Sequence, residues 1–157
     1  MVSLRLNFWA AVSFLHWGQY PQQTIAKAIQ YDSMPPFHVY DLDHVALHVA
    51  DVAASVHFYG EVLGFDAIPR PNFDFPGAWF RLGERQELHR IGGRAAPSQG
   101  KSRGNHYALR VEAVTEVVTA LRRRALEPLR GPKQRPDGIW QVFYSDLDGH
   151  VVEFWSA

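Results

Sequence analysis

The chain has 157 residues, enough for one domain with a real apolar core, and its 16 Lys and Arg balance its 16 Asp and Glu. Zero formal net charge argues against nucleic acid or an anionic membrane as a partner chosen by bulk electrostatics. The absence of cysteine excludes a disulfide scaffold, a thiolate zinc site and a cysteine nucleophile, and suits a cytoplasmic protein.

Residues 1–36 stand apart from the rest of the chain. Leu4–Trp17 is apolar and aromatic with Arg5 ahead of it, a weak likeness to a signal-peptide core, but no small-residue cleavage site comes after it. It is too short to span a bilayer. The remaining readings are an amphipathic helix packed on the domain, or an extension upstream of the true start. Met34-Pro35-Pro36 can open the compact domain, 37–157, because Pro-Pro cannot lie inside a helix.

Leu42–Ala50 alternates and reads as a strand, with His44, Ala46 and His48 on one face and Val45, Leu47 and Val49 on the other. Asp51 is placed to cap a helix with Val52, Val56, Tyr59 and Leu63 as its apolar stripe, stopped by Gly64. Phe65–Ile68, Gly77–Leu82 and Gln86–Ile91 read as three further strands, separated by Pro69-Arg70-Pro71 and Gly83 and ended by Gly92-Gly93. The order is β-α-β-β-β over residues 40–93. Residues 94–104, polar and rich in Gly and Ser, read as a linker.

The second half, 105–156, repeats that order. Asn105–Glu112 is a predicted strand and Val114–Leu126 a helix with Val114, Val117, Val118, Leu121 and Ala125 inward. Its Arg122-Arg123-Arg124 run faces water near the C-terminus. Glu127–Arg130 is a short strand ended by Gly131-Pro132. Ile139–Ser145 and His150–Trp155 are strands around the turn Asp146-Leu147-Asp148-Gly149. The repeat is also one of residues. Aligning His44 on His106 puts Ala46 on Ala108, Leu47 on Leu109 and Val49 on Val111, and brings His89 within two positions of Glu153. Such a period is too long for a solenoid and fits an α+β domain of two modules, each a curved mixed sheet around a cleft.

Each module thus carries a ligand-type residue in its first strand and another in its last. Imidazoles and a carboxylate at the floor of a cleft suit a divalent transition metal with open positions for water or substrate. Glu87 shares the face of His89 and is its rival as a ligand. His48 lies two residues from His44 on the cleft face. Trp79 and Arg81 share one face of their strand and, on the cleft side, would supply an aromatic wall and an anion contact; core packing is the other reading for Trp79. His16, His38, His57 and His150 have no partner legible in the sequence.

Over roughly Tyr40–Ser156 these residues resemble the vicinal oxygen chelate superfamily, which includes glyoxalase I, extradiol dioxygenases, fosfomycin thiol transferases and bleomycin-resistance proteins. His44 in Asp-His-Val-Ala-Leu, His106 in Asn-His-Tyr-Ala-Leu and Glu153 after Asp-Leu-Asp-Gly-His fit its ligand positions; His89 occupies the fourth. Arg70-Pro-Asn-Phe-Asp-Phe-Pro-Gly-Ala-Trp-Phe is similar to glyoxalase-I-like proteins of plants and bacteria. Leu147 departs from the usual proline of the Asp-Pro-Asp-Gly turn. The resemblance implies one divalent metal (Zn, Ni, Fe, Mn or Co) per site on His44, His89, His106 and Glu153. It also implies a small substrate chelating that metal through vicinal oxygens. By their strand faces His48, Trp79 and Arg81 are the candidate substrate contacts, a solvated strand end being the other reading for His48. Glu153 would act as general base in a glyoxalase-like lyase or isomerase reaction, and a homodimer would share its sites between chains. The alternatives are an Fe(II) extradiol-type dioxygenase, a fosfomycin-type thiol transferase, and a non-catalytic drug-binding resistance protein.

Overall fold

The computed structural model describes residues 37–95 and 105–157. The expectations for 1–36, and most of the linker, lie outside the described residues. The chain divides between Tyr40 and Asp41, and the fold is that of the second unit, 41–157.

Two β-α-β-β-β modules make up this unit. In the first, β1 (His44–His48), helix α1 (Val52–Val56), β2 (Ala67–Ile68), β3 (Gly77–Leu82) and β4 (Gln86–Ile91) form a sheet of order β1-β4-β3-β2. In the second, β5 (His106–Arg110), α2 (Val114–Arg122), β6 (Arg130–Gln134), β7 (Trp140–Ser145) and β8 (Val151–Ser156) form β5-β8-β7-β6. In both, the first strand runs parallel to the last and the others pair antiparallel. That is the α+β architecture expected from the repeat. No helix among the described residues is long and apolar enough to cross a membrane.

Helix α1 begins as expected: the Asp51 carboxylate accepts from the Ala54 amide at 3.0 Å. It does not continue as an α-helix. His57–Val62 is a π turn, in which the Leu63 amide reaches back five residues to the Phe58 carbonyl at 2.9 Å. The wider turn buries both Phe58 and Tyr59, which an α-helix would aim about 100° apart. The predicted stripe is corrected accordingly. Val56 is 38% exposed, and Ser55 takes the inward place. Gly64, at φ +78°, then turns the chain.

Helix α2 buries Val114, Val118 and Leu121. It stops earlier than expected, because Ala125 sits at φ +57° and the Leu126 amide returns to the Leu121 carbonyl. Ala125 is therefore exposed rather than inward. The short strand predicted at 127–130 lies instead at Arg130–Gln134, running through the Gly-Pro pair expected to end it.

Each module has its own core. Phe58, Tyr59, Phe80, Leu82 and Leu88 fill the first; Val114, Val118, Leu121, Val142, Tyr144, Val152 and Phe154 fill the second. Each such fully buried large side chain contributes about 1.5–3 kcal/mol of burial. Leu63, Phe65, Tyr107, Leu109 and Leu126 pack against both cores and join them.

A polar cluster ties the modules together. Arg90, 0% exposed, lies over the Tyr59 ring at 4.4 Å and pairs with Asp146 from the second module's turn. Asp146 also accepts from the Tyr59 hydroxyl at 2.8 Å and from the amides of Asp148 and His150. The Ala50 amide donates to Asp148 at 2.8 Å, and His150 Nε2 meets the His48 carbonyl at 2.8 Å. Further hydrogen bonds make a buried ion pair tolerable, and this one draws partners from both halves of the domain, with Arg90 Nη1 alone left without one among the described residues.

Candidate metal centre and substrate face

Strand register decides which side chains share a face. In the first module His44 sits opposite Glu87 and Glu87 opposite Arg81; Ala46 sits opposite His89 and His89 opposite Trp79. In the second, Ala108 lies opposite Glu153 and Glu153 opposite Phe143, with Arg130 opposite Phe143 in turn. The rows Ala46–His89 and Ala108–Glu153 are equivalent, so the fold itself makes His89 the counterpart of Glu153. Glu87 corresponds to Val151, an apolar residue, and has no partner in the repeat.

The first module's face is an aromatic stack. Trp79 lies flat on His89, ring centroids 3.8 Å apart and planes within 4°, and His44 covers the other side of His89 at 4.3 Å and 13°. Trp79 therefore belongs to this face and not to the core, as does Arg81. Asp43 holds Nδ1 of His44 at 2.8 Å, which leaves the other nitrogen as the outward donor. Glu87 links His89 Nε2 at 2.9 Å to Arg81 at 3.1 Å. Rivals for one position in the sequence are thus neighbours in space. His48 lies further along β1, exposed, and what it engages is its carbonyl, which accepts from His150 and from Arg94 at 3.3 Å.

The second module's face is built differently. His106 Nε2 lies 2.9 Å from Glu153 Oε2, and Glu153 is only 6% exposed. Phe143 stands edge-on to His106 with centroids 5.6 Å apart. Arg130, Lys133, Arg135 and Gln141 complete a cavity of about 340 Å³ whose floor is Glu153. None of these four is expected from the sequence. The basic run Arg-Gly-Pro-Lys-Gln-Arg is visible there, but its Gly-Pro pair has the look of a strand end and so hides its face.

The donor types, imidazole and carboxylate, are ones a divalent metal takes. His106 Nε2 and Glu153 Oε2, 2.9 Å apart, are paired with each other. Within the described residues no three His, Asp or Glu converge on one point. Instead, a cleft of about 750 Å³ between the edge strands β1 and β5 is reached by His44, Arg81, Glu87 and His106. Each module presents two donors, and four would require a first module to face a second.

Two phenols lie at this cleft, Tyr59 fully buried and Tyr107 half-buried in its lining. Burial and then the neighbouring Tyr107 push the Tyr59 hydroxyl well above its ordinary value. Burial likewise raises Tyr107, whose hydroxyl turns towards Tyr59 at 3.5 Å, to about 12.

The fold and paired faces define a two-module α+β domain of the kind that surrounds a small-molecule site with β-sheet. The chain belongs to the glyoxalase/bleomycin resistance protein/dioxygenase superfamily, whose family model matches residues 41–154. It is 30% identical over 133 residues to glyoxylase I 4 of Arabidopsis thaliana, covering 78% of this chain and 74% of the relative. It is 24% identical over 118 residues to the metallothiol transferase FosB of Staphylococcus haemolyticus, covering 71% and 80%. Among solved structures, a glyoxalase family protein from Bacillus anthracis superposes with a TM-score of 0.65 at 27% identity, covering 76% of this chain and 97% of that one. A lactoylglutathione lyase from Agrobacterium tumefaciens, at 18% identity, TM-score 0.61 and coverage of 76% and 96%, shares the fold.

Proposed function

We propose that this protein is a metal-dependent enzyme of the glyoxalase-I-like type, with lyase or isomerase chemistry on a small substrate that offers vicinal oxygens to the metal. The observation that carries the reading is the pair of equivalent donor sets, His44 with His89 and His106 with Glu153, at the same two places of each repeated sheet. These four side chains would hold the ion, which supplies Lewis-acid polarisation of substrate oxygens when bound. Glu153 is the group that takes a proton from the carbon beside the substrate's carbonyl and returns it to the neighbouring carbon. Its burial keeps bulk water from competing as the proton acceptor, and His106 orients the carboxylate. Trp79 and the His89 ring form a flat wall that sets the plane of the substrate. The similarity to a plant glyoxylase I supports the reaction class.

A complete site is formed between two chains, the first module of one facing the second module of the other. Within the described residues of one chain no three ligand-type side chains converge, which supports this. The test is complementation. His44→Ala and Glu153→Ala are each made, then unfolded and refolded together. Random pairing makes about half of the dimers mixed, each with one intact site, so about a quarter of all sites should recover metal and turnover. No recovery in a mixture shown by mass spectrometry to contain mixed dimers excludes sites shared between chains. The reaction itself is tested by metal analysis and then a panel of hemithioacetals, catechols and epoxides. Turnover confined to hemithioacetals is expected, and activity on catechols with Fe(II) alone would replace this reading with a dioxygenase.

A further inference from the structure

We infer that the substrate of this site carries an oxyanion, a carboxylate or a phosphoryl group, separate from the oxygens it offers a metal, and that Arg130 and Lys133 of β6 bind it. The inference deepens the reading of a small-molecule site given above and rests on it for the word substrate.

An unbroken strand would not place these two cations together. Residues three apart on a β-strand point to opposite faces. Between Arg130 and Lys133 the register shifts, so that Arg130 pairs with Phe143 and Lys133 with Gln141, and both line one cavity with His106 and Glu153. A bulge that re-aims a side chain beside a site is a built feature. Gly131 makes it possible. It sits at φ +85°, and a Cβ there would come within 2.8 Å of the Gln141 carbonyl oxygen.

Charge pairing leaves the same two residues over. Of the cavity's charged groups, Arg135 is held by Asp137 at 2.5 Å and Glu153 is matched with His106. Among the described residues Arg130 and Lys133 have no carboxylate partner; Arg130 lies over the Phe143 ring at 5.0 Å, which positions its guanidinium without neutralising it. Cations on an edge strand also serve to block strand-to-strand association. That role does not account for a bulge that brings both onto one cavity with His106 and Glu153. A planar guanidinium and an ammonium lining one cavity match an oxyanion.

The test uses full-length protein stripped of metal with a chelator, so that anion binding is read without a metal or turnover. Inorganic phosphate and acetate are titrated while amide chemical shifts are followed. Saturable binding is expected, with the largest shifts on β6 and β7, and Arg130→Met with Lys133→Met together should raise the dissociation constant at least about tenfold. Arg123→Met, exposed just past the C-terminal end of α2, should leave it unchanged. The tighter of the two probes distinguishes a phosphoryl from a carboxylate substrate. Should the double variant fold poorly, Lys133→Gln, on an exposed edge position, is expected to weaken binding several-fold alone. Binding that does not saturate, or that Arg123→Met weakens as much as the β6 changes do, overturns the inference. Failure of metal uptake by the untouched protein would instead count against the enzyme reading and leave this result standing.

Discussion

The two modules share a topology and differ in what their equivalent sheet faces carry. The first encloses its imidazoles in a stack, Trp79 on His89 on His44, with Glu87 and Arg81 beside it. The second sets one imidazole against a buried carboxylate and surrounds the pair with an aromatic edge and cations. Equivalent backbone positions thus carry different side chains: two imidazoles and a flat indole in one half, an imidazole, a buried carboxylate and cations in the other.

The two modules of the chain are joined by the Arg90–Asp146 cluster, and that join is the most sensitive point. Asp146→Ala would leave Arg90 buried without its carboxylate and release Tyr59 and two amides. It should cost about 3–5 kcal/mol, read by urea denaturation. A loss below about 1 kcal/mol would mean that the two modules hold together through their shared apolar residues alone.

The next largest effect separates the two donor sets. Glu153→Ala should lower metal affinity by at least about tenfold and abolish turnover, because it removes both the charged donor and the base. His89→Ala should lower metal affinity too but leave the base in place, and Glu87→Gln should weaken it less than either. His57→Ala, exposed and paired only with Glu61, should change nothing. Metal titration of the four proteins checks the order, and a Glu87 variant worse than the His89 variant would reassign the first module's donor.

The smallest effect lies in the seam between modules. Tyr107 is held near 12 in the folded protein, while an unfolded tyrosine ionises near its ordinary value of 10.0, and Tyr59 is raised in the same direction. The folded state keeps its protons where the unfolded state has lost them. The stabilisation is therefore complete below about pH 10 and falls away as the pH rises from about 10 towards 12. Tyr107→Phe should flatten that decline. Denaturation midpoints across this range, for the parent and the variant, give the measurement; parallel curves would show that Tyr107 is not the group responsible.

Much of the fold was legible because periodicity and punctuation are local. Period two in Leu42–Ala50, the Asp51 cap and the Gly64 stop each report their own neighbourhood, and the repeat of His44 in His106 tied the two neighbourhoods to one architecture. The faces of His44, His89, His106 and Glu153 came from alternation alone. Alternation fails wherever the backbone leaves its regular period. The π turn at His57–Val62 exchanged Val56 for Ser55 on the inner face, and the bulge after Arg130 brought Lys133 onto the concave side. Neither has a mark that a single period can read. Pairings across the fold were equally hidden: Glu87 with His89 and Arg81, Arg90 with Asp146, Trp79 flat on His89. The chain's own pattern determined two modules and which residue types face the cleft, since those depend on neighbours a few positions away. Which side chains touch was decided by register between strands and by packing between modules, because contact depends on residues dozens of positions apart.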